Sequence, residues 1–145
     1  MTQEERMLLI KDLSARLPYA VTVEHTSGFR GTLHDLVIHH IYDDNDNVYD
    51  AICYTDFFGD EDDIYIEYFK PYLFPLSSMT EEQKEEIEDK LIFPSNSNGG
   101  WIEILYNDIY NIPFWFVDFC NKNHFDYHGL IEKGLAIDAT NLNIY

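Results

Sequence analysis

The residue types suited to chemistry in this chain are six histidines, two cysteines and a large excess of carboxylates. His124 and His128 stand four apart, the spacing at which two imidazoles on one helix can share a metal. The polar run Asn121-Lys122-Asn123 and Gly129 end the helix before His128, and the residue after His124 is Phe125 where a zinc protease needs glutamate. His39 and His40 are neighbours on a predicted strand and so point to opposite faces. His34 beside Asp35 has no serine or cysteine on a recognisable nucleophile elbow. Asp43, Asn45 and Asn47, like Asp60 and Asp62, begin as a calcium loop does, but the glycine at the sixth position and the glutamate at the twelfth are missing. Ser27-Gly28-Phe29-Arg30-Gly31 has too few glycines for a phosphate loop and lies between strands, and Ser97-Asn98-Gly99-Gly100 fares no better. The expectation is a protein without catalytic residues, metal or cofactor.

The carboxylates are the outlying feature. The formal charge is −18, from 27 acidic residues against nine lysines and arginines. Ten of the acids fall between Asp43 and Glu67, with no lysine or arginine among them, and six more lie from Glu81 to Asp89 beside Lys84. Such a charge repels nucleic-acid phosphates and anionic membranes, so neither is an expected partner. Same-face residues on a strand recur at about 6.6 Å, and duplex DNA carries one charge per roughly 1.7 Å of axis. A hairpin bearing an ordered row of carboxylates could imitate DNA toward a basic groove. The second cluster reads as a solvated helix face. The first is more informative because aromatic residues able to anchor an interface are interleaved with it. The candidate binding residues are Asp43, Asp44, Asp46, Tyr49, Phe57, Phe58, Asp60, Glu61, Asp62 and Asp63.

These residues need a frame to hold them. The chain has 145 residues, of which 46% are apolar and 16% aromatic, which suffices for one domain spanning 1–145 with a real core. Thr2 with Glu5 forms a capping box, Leu9, Ile10, Leu13 and Leu17 repeat at helical spacing, and Pro18 stops the helix, which predicts a helix over 3–16. Val21 and Val23 alternate with Thr22 and Glu24 as in a half-buried strand, and Ser27-Gly28 is a turn. A second strand is predicted over 29–42. Its apolar parity switches midway, so a bulge is expected near His34-Asp35. Further strands are predicted over 48–55 and 64–69, giving a curled antiparallel meander, SH3-like or a partly closed barrel.

Pro71 and Pro75 exclude Lys70–Pro75 from a central strand and predict an extended crossing of the sheet. Thr80 and Gln83 open a surface helix running to about Leu91, and Trp101–Tyr106 alternates as a fifth strand. Pro113 starts a last helix, apolar around most of its circumference, which predicts a central position packed on the sheet. Gly129 and Gly134 permit tight turns in the segment that follows. Cys53 and Cys120 have apolar neighbours and read as buried free thiols. The fold class expected is α+β, with four to five strands and three helices.

Three stretches, MTQEERMLLIKDLSARLPYAV, KPYLFPLSSMTEEQ and NHFDYHGLIEKGLAIDA, resemble small acidic proteins of Bacteroidales phages and integrated mobile elements. They cover about a third of the chain. Those relatives read glycine at the position of Ala20 and arginine at that of His128. The resemblance implies a phage or mobile-element protein at work in the bacterial cytoplasm. The N-terminus has no signal-peptide pattern and no apolar run nears the roughly 18 residues that span a bilayer, which fits a cytoplasmic location. The expected function is binding of a basic host protein through the acidic, aromatic-bearing hairpin, as a DNA mimic or an inhibitor of host defence. The alternative is a small-molecule or nucleotide binder with a pocket between the sheet and the last helix.

Overall fold

The computed structural model describes residues 1–42, 47–56, 65–90 and 112–145, with side chains given outside 39–42 and 47–50. Helix α1 spans Gln3–Arg16. Its capping box forms as expected: the Glu5 amide donates to the Thr2 hydroxyl at 3.2 Å, and the Thr2 amide donates to the Glu5 carboxylate at 2.7 Å. A 3₁₀ turn carrying Pro18 closes it and ends in Ala20, whose φ of 53° is left-handed. Strand β1 (Thr22–His25) then buries Val23 against the core while Thr22 and Glu24 stay half-exposed.

Strands β2 (Arg30–Tyr42) and β3 (Asn47–Thr55) complete a three-stranded antiparallel ribbon. The register slips between Leu33 and Asp35, which places the bulge where the switch of apolar parity requires it.

Strand β4 departs from the expectation. Tyr65 makes only an isolated bridge to Ile52, Ile66–Tyr68 is a 3₁₀ turn, and the strand runs over Phe69–Pro75. It lies beside β1, so the order β3-β2-β1-β4 is that of a Greek key, not a meander. Two prolines inside this central strand are tolerated for a geometric reason. The Thr26 amide donates to the Tyr68 carbonyl at 2.9 Å. Antiparallel pairs alternate between bonded and non-bonded, so the Val23–Pro71 pair is non-bonded and the Pro71 nitrogen faces away from β1. On the other edge, β6 pairs only from Tyr72 onward, and Pro75 is the last residue of the strand.

Helix α2 (Glu81–Lys90) follows a second capping box between Thr80 and Gln83, and only Ile87 of it is buried. Helix α3 (Phe114–Lys122) is followed by β5 (Phe125–Asp126) and β6 (Ile137–Asp138), which lie parallel to β4 and make the sheet mixed and open. Between them the chain turns at Gly129 and Gly134, both at a φ near +70° that a side chain would strain. The buried Asp126 carboxylate fastens this turn by accepting from the amides of Leu130 and Ile131. The predicted strand 101–106 lies outside the described residues.

Two cores result. Under α1, Leu9, Ile10 and Leu13 pack with residues of β1 to β4 and with Leu130, Leu135 and Ala136. Helix α3 does not fill that space. Its Phe116, Phe119 and Cys120 pack on the sheet edge with Phe125, and with Leu76, Met79 and Ile87, while Phe114 is 83% exposed. The expectation of a central last helix is corrected here: α1 occupies the centre. The α+β class and the packing of α3 on the sheet hold.

Candidate functional site

Asp12 and Arg16 lie one helical turn apart on the core face of α1, and both are fully buried. Arg16 donates from Nε to Asp12 Oδ2 at 2.6 Å, and from Nη2 to Asp12 Oδ1 at 3.0 Å and to the Phe125 carbonyl at 2.8 Å. The guanidinium lies over the Tyr127 ring, 5.3 Å from its centroid. The C-terminal segment completes the cluster: His128 Nδ1 lies 2.9 Å from Asp12 Oδ1. Burial pushes the Asp12 carboxyl up, but Arg16 and His128 outweigh it and hold the group below its ordinary value. Burial likewise depresses Arg16, and Asp12 more than restores it. Burial raises the nearby Cys120 thiol to about 12, so that thiol is inert at neutral pH. Chemically the cluster is a clamp that ties α1 to the segment 125–128. Its signal was present in the sequence, since positions 12 and 16 share a helix face with Leu9 and Leu13.

Two cavities flank this clamp. One, of about 520 Å³, lies between the sheet and the end of α3, where Phe74, Phe125 and His124 meet Tyr145. The His124 and Tyr145 rings are stacked 3.8 Å apart and nearly parallel. Tyr145 is anchored by donating to the Tyr72 carbonyl at 2.7 Å and accepting from the Thr22 amide at 3.2 Å. Burial lowers the His124 imidazole to about 4, so it is neutral at physiological pH. The second cavity, of about 490 Å³, opens between α1 and α3 and reaches Tyr127 and His128.

Of the expected binding residues, Asp43, Asp44, Asp46, Phe57, Phe58, Asp60, Glu61, Asp62 and Asp63 lie outside the described residues. Tyr49 lies on β3 opposite His40, with its side chain undescribed. Two acids of the same run have structural partners. Asp56 accepts from the Thr32 amide at 2.7 Å, and Glu67 pairs with Arg6 at 2.7 Å. The two histidines at helical spacing are not brought together, because α3 ends at Lys122 and their partners differ. Among the described residues no group of three or more histidines, cysteines or acids could hold a metal, and no helix is long and apolar enough to cross a membrane.

No family model matches the chain, and comparison with curated proteins and with solved structures finds no match.

Proposed function

We propose that this protein acts by binding, without catalysis, and that its partner is a basic protein of a bacterial host. The observation that carries this reading is the run of ten acids without a lysine or arginine from Asp43 to Glu67. Tyr49, Phe57 and Phe58 stand within it and supply the aromatic anchors that a specific interface needs beyond charge. Carboxylates attract a basic surface from a distance and select against nucleic acid, and desolvated aromatics then hold the complex. The resemblance to Bacteroidales phage and mobile-element proteins supports a host-directed role, with DNA mimicry or defence inhibition as the form it takes. The test is capture from Bacteroidales lysate on the immobilised protein at low and at high salt. A partner retained at low salt and weakened as salt rises is the expected result, since screening shortens the reach of exposed charges. Failure to capture any partner at either salt concentration counts against it.

The cavity between the sheet and α3 supports a second reading, a small-molecule or nucleotide binder. Phe74 and the stacked His124–Tyr145 pair offer faces for a planar ring, and Lys122 stands on the same rim. A ligand at a hundred times its dissociation constant would add about 2.7 kcal/mol to stability. A thermal-shift panel of nucleotides and cyclic dinucleotides measures this, and a flat response across it removes the reading.

A further inference from the structure

The cleft between α1 and α3 has a charge pattern opposite to that of the rest of the chain. Leu8 and Ala15 of α1 face Ile112 and Val117 across about 490 Å³, so its body is apolar. Its charged lining consists of Lys11 and Lys133, with the His128 imidazole beside them and no carboxylate among the described lining residues. In a chain with 27 acids to nine lysines and arginines, this composition is the reverse of what chance placement gives. Both lysines are solvent-exposed, and neither forms an ion pair with a described residue. Glu5 lies close enough to Lys133 to feel its charge, without contact. Behind the lining, Asp12 and Arg16 cancel each other, and Asp12 holds His128 through Nδ1. Among the described lining residues the lysines and arginines are therefore Lys11 and Lys133 alone, with no carboxylate beside them.

We propose that this cleft binds a small organic carboxylate, its apolar body against Leu8, Ile112 and Val117 and its carboxylate between Lys11 and Lys133. The negative exterior does not prevent this. At physiological ionic strength the Debye length is about 8 Å, so a ligand in the cleft responds mainly to the charges that line it. A phosphate fits less well, because the described lining has no arginine and no serine or threonine hydroxyl to surround three oxygens. The cleft shares no described lining residue with the acidic run or with the cavity at His124, and its test is independent of both.

The test is calorimetric titration of the whole protein with octanoate, with 3-phenylpropionate and with octanol as the uncharged control. We expect a single saturable site for the carboxylates. Octanol, and octanoate on the Lys11→Ala/Lys133→Ala variant, should each bind about tenfold more weakly, the loss expected when charge-assisted hydrogen bonds are removed. The variant changes two exposed side chains, and its unchanged thermal midpoint checks that the fold is kept. Octanol affinity should be the same in both proteins. No saturable binding of either carboxylate, equal affinity for octanol, or indifference to the double substitution overturns the proposal.

Discussion

Helices α1 and α2 each carry an ion pair at the same spacing, and the two pairs have different consequences. Asp12–Arg16 and Glu86–Lys90 are both four residues apart, at 2.6 and 2.8 Å. The first has no exposed side-chain surface, whereas the second is about half-exposed on each side. In α2 the surrounding water already stabilises both charges, so pairing adds about 0–1 kcal/mol. In α1 the charges have left water, so each depends on the other and on the Phe125 carbonyl and His128. Charge of one kind holds this fold together; charge of the other kind is displayed and costs the fold little. A partner can draw only on the displayed set.

The comparison breaks most readily at Arg16. Arg16→Ala strands a buried carboxylate and should cost about 3–5 kcal/mol in denaturant melts. Lys90→Ala, the matching change in α2, should cost no more than about 1 kcal/mol. Equal costs would show that burial does not separate the two pairs.

Lowering pH sharpens the same contrast. Asp12 has a folded pKa below its ordinary 3.8, so its contribution is complete above that value and is lost as pH falls through the lower folded one. His124 acts earlier. Its folded pKa of about 4 lies below the ordinary 6.5, so the unfolded chain takes up a proton first and stability declines between pH 6.5 and about 4. His124→Asn, which tolerates the left-handed φ of 57° at this position, should flatten the thermal-midpoint profile across that interval. An unchanged slope would place the acid sensitivity elsewhere.

A smaller effect is expected at Ala20, exposed at the end of the 3₁₀ turn that closes α1. Its φ of 53° is a conformation that glycine adopts freely and that a β-carbon strains. Ala20→Gly should therefore raise stability by up to about 1 kcal/mol, measured as a shift in denaturation midpoint. A loss of stability would mean that the added freedom of the unfolded chain outweighs the relieved strain.

Local signals in the sequence carried far. Both capping boxes, the turn at Gly28, the bulge beside Leu33 and the buried thiols all follow from a few neighbouring residues. What was not legible depends on distant pairing. Pro71 sits in a central strand because its nitrogen falls on the unpaired side, which is a property of register against β1 and β6. Strands of two residues, such as β5 and β6, are too short to show a period. Helix α3 is more apolar than α1, yet α1 is central, because its Leu9 and Leu13 face the sheet while Phe114 of α3 faces water. The clamp left a signal, two opposite charges on the face of Leu9 and Leu13, but charges that interrupt an apolar face also look like solvated ones. For the binding site, composition marked the acidic run, and only the fold could bring Lys11 of α1 together with Lys133 of the C-terminal segment.

The central claim is that the charges holding the fold, among them Asp56 and Glu67, are a separate set from the acids proposed to take a partner. Asp60→Asn/Asp62→Asn/Asp63→Asn, examined for both thermal midpoint and salt-sensitive capture from host lysate, tests it most directly. The account predicts an unchanged midpoint and loss of the captured partner. Capture that survives the triple substitution undiminished would contradict it.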